Sequence, residues 1–406
     1  MRCGLLGKKL GHSYSPQIHS YLGDYAYDLF EKTPEDVALF LKNGDFTGLN
    51  VTIPYKKEVV SFCDELTDRA AALRSVNTIV RRPDGKLIGH NTDYFGFSSM
   101  VKRAGLQLQG KKVLVLGSGG ASVTAVAVLK ELGAHVVVIS RSGENNYNNL
   151  FLHKDASAIV NTTPVGMYPN VDISPINLDQ LENLEGVLDI VYNPARTQLL
   201  LDAEKRGLIT ENGLWMLVAQ AKESAEWFTG KRISDDMITR IHKILRRQTE
   251  NIILIGMPGC GKTTLGKHLA QLLGKKFIDI DTEIVAQAAM TIPEIFAESG
   301  EEGFRKWETK VLSQYCRESG LVVSTGGGCV TRSENYNILH QNGKIIWIQR
   351  DLNQLPVDGR PLSQMGELET MYRFRKPLYE RFSDAVVVNN KDISSVVKKI
   401  ISMEEL

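Results

Sequence analysis

Two glycine-rich loops, each placed between an apolar run and a helix-like segment, limit most strongly what this chain can fold into. Residues 117–122 follow the apolar run 112–116, and residues 256–264 follow the apolar run 251–255. A strand, a glycine loop and a helix in this order place phosphate groups at the N-terminus of the helix. We therefore predict two nucleotide-binding regions in an α/β protein with parallel sheets.

The composition excludes several other classes of protein. A chain of 406 residues is too long for one ordinary hydrophobic core, so we expect two or three domains. The formal net charge of +1 argues against a nucleic-acid or anionic-membrane partner. The five scattered cysteines predict neither a disulfide framework nor a zinc site. Because no apolar run reaches the ~20 residues of a membrane span and no signal-like run stands at the beginning, we expect a cytoplasmic protein. The pattern does not predict an oligomeric state.

The main boundary is predicted near residues 245–250, where a helical pattern over 235–245 gives way to a strand. This stretch contains no run rich in proline, glycine and serine. We therefore expect a short connection rather than a flexible tether.

The first glycine loop indicates a dinucleotide site only in its context, because small residues replace the third glycine of G-x-G-x-x-G. The next apolar run, 134–139, ends in Ser140-Arg141-Ser142. A dinucleotide domain recognises its ribose there, with an acid for the free hydroxyls or an arginine for a 2′-phosphate. We therefore predict NADP(H); a solvated arginine at the strand end is the alternative. The predicted contacts are Gly117, Gly119, Gly120, Ala121, Ser140, Arg141 and Ser142.

Three polar clusters precede this loop, each at the end of an apolar run. They are residues 12–16, residues 50–56, and residues 75–78 together with 89–93. Ligands of α/β proteins gather where strands end. Each cluster by itself is also compatible with turn or helix-cap chemistry.

Residues 1–245 resemble the shikimate dehydrogenases. The resemblance lies in Ser13-x-Ser15, Asn50-Val51-Thr52 with Lys56, Asn77, Asn91-Thr92-Asp93, the first glycine loop and residues 218–221. It implies that Lys56 and Asp93 form the catalytic pair. Hydride delivery to a ketone leaves an alkoxide, and a lysine held by an aspartate supplies the proton that this alkoxide needs. An exposed lysine after a proline turn is the alternative for Lys56.

The same resemblance implies the remaining groups of this site. The loop 161–167 would lie beside the nicotinamide, with Met167 contacting the cofactor. The substrate-binding residues would be Ser13, Ser15, Thr52, Asn77, Asp93, Tyr192 and Gln220.

One segment departs from the pattern of that family. Only an asparagine-rich stretch, residues 143–157, separates Arg141 from the next apolar strand. Parallel strands usually need a crossover of about a dozen or more residues that contains a helix. We expect the adenosine side of the cofactor pocket to be shallow.

The second glycine loop matches G-x-x-x-x-G-K-[ST] in full, between a strand and a helix. Backbone N–H groups of such a loop surround phosphates, Lys262 neutralises them, and Thr263 holds Mg²⁺. The predicted ATP contacts are Gly256, Gly259, Cys260, Gly261, Lys262, Thr263 and Thr264.

Residues 277–281 predict a short strand that ends in two carboxylates on one face, Asp279 and Asp281. One carboxylate can help to hold Mg²⁺ while the other accepts the proton of a substrate hydroxyl. Residues 251–400 resemble the shikimate kinases. The resemblance lies in these two aspartates and in the segments 304–308, 324–328, 359–362 and 375–379.

That second resemblance implies the roles of individual residues. Asp281, Arg305, Gly327 and Arg375 would bind shikimate, and the two arginines would pair with its carboxylate. Asp279 would serve Mg²⁺, and Arg360 would move in on a lid to stabilise the transferring phosphate. Lys262, Asp281 and Arg360 would thus be catalytic. Helix-surface salt bridges are the alternative for both substrate arginines.

Together the two resemblances imply a bifunctional enzyme of aromatic amino-acid biosynthesis, since the product of the first half is the substrate of the second. NADPH would reduce 3-dehydroshikimate to shikimate, and MgATP would convert it to shikimate 3-phosphate. The predicted domains are an α/β substrate domain (1–98, with 214–246 returning), a Rossmann-like NADP-binding domain (99–213) and a P-loop kinase domain (247–406).

Two alternatives stay open. The first is a shikimate-sensing regulatory or binding protein with one inactive half. Loss of Lys56, Asp93, Lys262 or Asp279 would favour it, and all four are present. The second is an enzyme that uses quinate or NAD in its first half. Arg141 disfavours NAD, whereas the residues do not discriminate against quinate.

Overall fold

The computed structural model describes residues 1–11, 13–355, 365–390 and 392–404. The chain divides into two compact units. The first contains Met1–Met167, Asp172–Tyr192 and Asp202–Ile244, and the second contains Tyr168–Val171, Asn193–Leu201 and Leu245–Leu406. Within the described parts of the chain, no helix is both long and apolar enough to cross a bilayer.

The first unit begins with a mixed sheet of six strands in the order β2-β1-β3-β5-β6-β4. Its core contains the fully buried side chains of Leu6, Leu49 and Ile79. The elements of this part are β1 (Arg2–Gly7), α1 (Ser15–Leu22), β2 (Ala26–Glu31), α2 (Pro34–Asn43), β3 (Gly48–Val51), β4 (Glu65–Leu66), α3 (Asp68–Leu73), β5 (Thr78–Arg81), β6 (Leu87–His90) and α4 (Asp93–Ala104), with a 3-10 helix at Glu58–Phe62.

The register of this sheet brings the predicted polar clusters to one edge. Strand β5 runs antiparallel to β3 and β6, with Asn50 opposite Thr78 and Thr78 opposite His90. The C-terminal ends of β1, β3 and β6 therefore share an edge with the N-terminal end of β5. Each polar cluster of the sequence either follows or precedes a strand at that edge.

The second sheet of this unit has five parallel strands in the order β11-β10-β9-β7-β8. Its first strand, β7, is flanked by β8 and β9, which is a topological switch point where α/β proteins bind ligands. The elements are β7 (Lys112–Leu116), α5 (Gly120–Glu131), β8 (His135–Ile139), β9 (Ala158–Asn161), β10 (Gly186–Asp189), α6 (Gln198–Lys205), β11 (Ile209–Asn212), α7 (Leu214–Thr229) and α8 (Asp236–Thr249).

The shortened crossover after β8 contains no α-helix. A 3-10 helix at Tyr147–His153 takes its place, and Asn146 caps it in a capping box. Further along, α7 returns to pack against α4 and α1. The α4–α7 approach is close enough to need a glycine, because a Cβ on Gly96 would lie 2.7 Å from the Met216 carbonyl oxygen.

The second unit is built on a parallel five-stranded sheet in the order β13-β14-β12-β15-β16. Its central strand, β12, is isoleucine-rich and buried on both faces, as expected for a parallel sheet. The elements are β12 (Asn251–Ile255), α9 (Lys262–Leu273), β13 (Lys276–Asp279), α10 (Ile280–Ala288), α11 (Ile292–Cys316), β14 (Leu321–Ser324), α12 (Asn335–His340), β15 (Gly343–Gln349), α13 (Met365–Phe382), β16 (Ala385–Val388) and α14 (Ile393–Glu404).

This second unit also includes a short piece of chain from well before β12. The Arg196 guanidinium donates to the carbonyl oxygens of His340 at 2.9 Å and Gly343 at 3.3 Å. The Ala195 backbone N–H donates to the side-chain oxygen of Asn342 at 2.8 Å. Residues 193–201 thus complete the end of the sheet at which β15 begins.

The predicted α/β class is confirmed. The two sheets that contain the strands before the glycine loops are parallel as predicted, whereas the first sheet is mixed because β5 runs antiparallel to its neighbours. Two local predictions can also be compared with the structure. The connection near residue 250 is short, because α8 ends at Thr249 and β12 begins at Asn251. The prediction that both carboxylates lie on a strand is wrong, because β13 ends at Asp279. Asp279 caps α10 by accepting a hydrogen bond from the Thr282 N–H at 3.3 Å, so Asp281 lies in the first turn of a helix.

Candidate active sites

Lys56 and Asp93 are in direct contact. Lys56 follows β3 and Asp93 begins α4, and the Lys56 Nζ donates to the Asp93 Oδ2 at 2.6 Å. The Lys56 side chain is 19% exposed and that of Asp93 is 9% exposed. The pair therefore holds an amine, with its protons, at a fixed point that a ligand can still reach.

Two amide side chains lie at the same sheet edge. The Asn77 Nδ2 donates to the Thr92 Oγ1 at 3.0 Å and to the Gln220 Oε1 at 3.4 Å. The Asn77 Oδ1 accepts from the Thr92 N–H at 2.6 Å, and the Gln220 Nε2 donates to the Leu217 carbonyl at 2.9 Å. Asn77 and Gln220 are thus brought together from distant parts of the sequence, with both amide orientations fixed.

The serines that follow β1 are adjacent to this edge. The Ser13 Oγ accepts from the Ser15 N–H at 3.2 Å, at the start of α1. A Cβ on Gly7, at the end of β1, would lie 2.8 Å from the Thr52 Cγ2, so Thr52 packs where β1 ends. The Tyr192 ring lies 5.9 Å from the Tyr14 ring, centroid to centroid. Burial raises the pKa of Tyr192, which keeps its phenol protonated.

The first glycine loop lies at the switch point of the second sheet. Gly117 has a φ of +104°, and a Cβ there would lie 2.9 Å from the Thr163 Cγ2. The position therefore requires glycine for its backbone conformation and for its contact with the loop after β9. A Cβ on Gly119 or Gly120 would meet no atom within 4 Å, so the N-terminus of α5 is open to a phosphate.

The residues that the sequence predicts to recognise the ribose follow β8. The Ser140 N–H donates to the Asn145 carbonyl at 3.1 Å, and Arg141 is exposed. Tyr147 lies close to Arg141: burial raises the pKa of Tyr147, and the positive charge of Arg141 opposes this rise. Met167, at the end of the loop after β9, is 47% exposed.

The second glycine loop holds a buried lysine. The Lys262 Nζ donates to the carbonyls of Gly256 at 2.9 Å and Met257 at 3.0 Å. The Thr263 Oγ1 donates to the Asp279 Oδ2 at 2.8 Å. A hydroxyl and a carboxylate side by side at the start of a helix are ligands that a hard cation prefers. Among the described residues, no group of three or more His, Cys, Asp or Glu could hold a metal.

A cluster of buried charged side chains lies next to this loop. The Arg305 guanidinium donates to the Glu308 Oε2 at 2.7 Å and to the Glu301 Oε1 at 3.0 Å. Glu308 is fully buried: burial raises the pKa of its carboxyl, and the charge of Arg305 opposes the rise. Arg375 is also buried and close enough to oppose it as well. Two arginines in one cluster suit a carboxylate ligand.

Glycines 326–328 allow this cluster to pack closely against the backbone. A Cβ on Gly326 would lie 2.3 Å from the Glu308 Oε1 and 3.1 Å from the Asp281 Oδ1. A Cβ on Gly328 would lie 2.1 Å from an Arg305 nitrogen, and one on Gly327 would lie 2.7 Å from the Pro258 Cδ. The cluster therefore borders the phosphate loop. Arg360, the predicted lid arginine, lies outside the described residues.

Comparison with known proteins identifies the first part of the chain. A family model described as shikimate dehydrogenase substrate binding domain matches residues 5–79. A shikimate dehydrogenase (NADP(+)) of Caldicellulosiruptor saccharolyticus is 35% identical over 271 residues, which are 59% of this chain and 96% of the relative. The chain belongs to the shikimate dehydrogenase family.

Solved structures agree with this identification. Shikimate dehydrogenase 1 from Peptoclostridium difficile is 37% identical with a TM-score of 0.57, covering 61% of this chain and 98% of that one. A chorismate mutase/shikimate 5-dehydrogenase fusion protein from Clostridium acetobutylicum is 34% identical with a TM-score of 0.57, covering 60% and 96%.

The remainder of the chain matches a second family model. The model described as shikimate kinase matches residues 258–405. The chain is therefore a bifunctional shikimate-pathway enzyme, with a shikimate kinase domain after the dehydrogenase part. The predicted fusion is confirmed.

Several residues at these sites were not singled out by the sequence. Ser224 lies in a buried hydroxyl cluster at the dehydrogenase site. In the kinase, the Asn389 Nδ2 donates to the Cys260 carbonyl at 2.8 Å and so anchors the phosphate loop. Neither residue belongs to a recognisable motif, because each reaches its site from an element distant in the sequence. The only sequence signal for Ser224 is its spacing of four residues from Gln220, because residues four apart lie on the same face of a helix.

Proposed function

We propose that the first half reduces 3-dehydroshikimate to shikimate with NADPH, and that the second half phosphorylates shikimate with MgATP. The observation that carries the proposal is the Lys56–Asp93 contact at an edge lined by amides and hydroxyls, on a chain that also carries a complete phosphate loop beside two buried arginines. NADPH supplies the hydride for the first reaction.

In the reduction, Lys56 donates the proton that the substrate oxygen needs once hydride has reached the carbonyl carbon. Asp93 keeps the amine in place by accepting its hydrogen bond. The amides of Asn77 and Gln220 and the hydroxyls of Ser13, Ser15 and Thr52 hold the ring hydroxyls and the carboxylate, and Tyr192 closes the site. These groups bind and orient, whereas Lys56 and Asp93 act on the reacting atoms.

The residues around the first glycine loop fit NADP(H). The open N-terminus of α5 suits the pyrophosphate, with Gly117, Gly119, Gly120 and Ala121 at the contact. Arg141, flanked by Ser140 and Ser142, suits a 2′-phosphate. Met167 is placed to contact the nicotinamide. The NADP(+) in the name of the dehydrogenase relative agrees with this choice.

In the phosphorylation, Gly256, Gly259, Cys260, Gly261 and Thr264 surround the phosphates, and Lys262 neutralises them. Thr263 and Asp279 hold Mg²⁺, which usually binds through one or two protein ligands and the phosphates of its substrate. Asp281 accepts the proton of the shikimate hydroxyl. Arg305 and Arg375 bind the carboxylate of shikimate, and Gly327 contacts its ring. Arg360, which lies outside the described residues, is proposed to stabilise the transferring phosphate.

The proposed domain organisation keeps the boundaries set by the sequence: 1–98 with 214–246, then 99–213, then 247–406. Each half carries its own nucleotide loop and its own substrate groups, so the two reactions are expected to proceed independently. Small molecules are the proposed partners.

One assay tests the whole proposal. The protein is supplied with 3-dehydroshikimate, NADPH and MgATP, and NADPH consumption and shikimate 3-phosphate are followed separately. We expect both, in sequence. No NADPH consumption would remove the dehydrogenase half of the proposal, and shikimate accumulation without phosphorylation would remove the kinase half. Parallel reactions with NADH, and with quinate and NAD⁺ in the oxidative direction, test the alternative substrates.

A further inference from the structure

Ser224 lies on α7, one helical turn after Gln220, and is fully buried. Its Oγ lies 2.7 Å from the Asn50 Nδ2 and 2.9 Å from the Oγ1 atoms of both Thr78 and Thr92. It also donates to the Gln220 carbonyl at 2.9 Å. One hydroxyl on the returning helix therefore contacts the ends of β3 and β5 and the residue that precedes α4.

The hydrogen-bonding capacity of a hydroxyl fixes the directions of two of these bonds. A serine hydroxyl has one proton and two lone pairs. The Gln220 carbonyl only accepts, so it takes the Ser224 proton. The Asn50 amide only donates at its Nδ2, so it fills one lone pair. The remaining lone pair is available to the hydroxyl of Thr78 or of Thr92, which lie 3.1 Å from each other, so Ser224 joins these residues into one hydrogen-bonded network.

This network is hydrogen-bonded to the groups that are proposed to bind the substrate. Thr92 accepts from the Asn77 Nδ2 at 3.0 Å, and its backbone N–H donates to the Asn77 Oδ1 at 2.6 Å. The next residue after Thr92 is Asp93, the partner of Lys56. Without the Ser224 hydroxyl, the bonds of the Asn50 Nδ2 would be limited to contacts of 3.3 and 3.4 Å.

We infer that Ser224 is a positioning residue of the dehydrogenase site, which fixes Thr92 and thereby the Asn77 amide and the start of α4. The inference rests on the proposed function, because it assumes that Asn77 and Asp93 act on the substrate. Ser224 itself is fully buried and is not among the proposed substrate or cofactor contacts.

The test is Ser224→Ala in the full chain, with KM and kcat measured for 3-dehydroshikimate, NADPH and shikimate phosphorylation. We expect kcat/KM for 3-dehydroshikimate to fall roughly tenfold or more, as for the loss of one buried hydrogen bond. The KM for NADPH and the kinase parameters should stay within about twofold of wild type. Ser224→Thr, which retains the hydroxyl, should recover most of the lost activity.

Thr229→Val is the matched control. Thr229 lies on the same helix and also donates to a carbonyl four residues earlier, the Ala225 oxygen at 2.7 Å, but belongs to no part of the cluster. It should leave kcat/KM for 3-dehydroshikimate unchanged.

Three outcomes would overturn the inference. Unchanged dehydrogenase kinetics in Ser224→Ala would show that the hydroxyl positions nothing. A rise in the KM for NADPH as large as that for 3-dehydroshikimate, or an equal loss in Thr229→Val, would show a general structural effect. If the wild-type protein does not reduce 3-dehydroshikimate at all, the proposed function fails, and the inference fails with it.

Discussion

The two lysines proposed to carry the chemistry are held in opposite ways. The Lys262 Nζ donates to carbonyls five and six residues away along the chain, within its own loop. The Lys56 Nζ donates to a carboxylate 37 residues away, on another element. The kinase lysine therefore depends on the conformation of one loop, whereas the dehydrogenase lysine depends on the register of a sheet.

This difference explains why the two sites differ in how clearly the sequence indicates them. A site made by one loop is a contiguous motif, since the local backbone creates it. A site made by strand ends is a set of short polar clusters, whose meaning depends on which strands are neighbours. It also implies that substitutions at residues far away in the sequence, such as Ser224, should affect the dehydrogenase site more than comparable substitutions in the kinase domain affect the phosphate loop.

The largest expected effect is at Lys262. Lys262→Ala should lower phosphorylation of shikimate by about 10³-fold or more, because it removes the charge that neutralises the transferring phosphate. Reduction of 3-dehydroshikimate should continue, so that shikimate accumulates. Lys267→Ala, an exposed lysine on the same helix, is the control and should be silent. An active Lys262→Ala protein would break the comparison, because the loop lysine would then be dispensable.

The corresponding change in the first half is Lys56→Ala. It should lower the kcat of reduction by at least about a hundredfold and change KM little, because proton donation belongs to the transition state. Added shikimate should still be phosphorylated normally. The neighbouring exposed Lys57→Ala serves as control. An effect on KM alone would reduce Lys56 to a binding residue, and loss of both activities in a folded protein would contradict the independence of the halves.

A smaller effect is expected at Arg141, which carries the predicted choice of cofactor. Arg141→Ala should erase the preference for NADPH over NADH, through loss of a charge-assisted contact of about 1.5–3 kcal/mol. The ratio of kcat/KM for the two cofactors is the measurement. Lys130→Ala, at an exposed lysine on α5, is the control. Equal use of NADH and NADPH by the wild-type protein would contradict the prediction.

The smallest effect concerns the stability of the first unit. The His19 ring is stacked 4.0 Å from that of Tyr27, and burial lowers the pKa of His19 to about 3. On acidification, His19 is protonated at a higher pH in the unfolded chain than in the folded one. The stability that comes from the neutral buried ring is therefore complete above the pKa of His19 in the unfolded chain and decreases as the pH falls below it. Between about pH 7.5 and 5, the first unit should lose about 2 kcal/mol of unfolding free energy.

Urea unfolding of the wild type and of His19→Phe at both pH values measures this loss. The variant keeps an aromatic ring against Tyr27 but has no group that titrates, so its unfolding free energy should change less with pH. The same pH dependence in both proteins would assign the acid sensitivity to other groups.

The sequence pattern at Asp279 and Asp281 was compatible with more than one local structure. The alternation of Asp279 and Asp281 predicted a strand through both residues, yet the strand ends at Asp279, which caps the following helix. Two carboxylates two residues apart are compatible with a strand face and equally with a helix start. The choice between these depends on where the chain must turn away from the sheet.

What the sequence determined by itself was local: the strand–loop–helix units, the eight-residue phosphate motif, and the α/β class. These follow from the conformations of neighbouring residues, above all from glycines at positions such as Gly117 and Gly261, with φ of +104° and +100°.

Only the tertiary structure decided which distant residues meet. The antiparallel register of β3, β5 and β6 brings Lys56 to Asp93, and the return of α7 brings Gln220 and Ser224 to Asn77 and Thr92. It also decided that residues 193–201 belong to the second unit and that Glu308 is fully buried beside Arg305. Such contacts depend on long-range packing, because burial and strand pairing are properties of the whole fold rather than of any single segment.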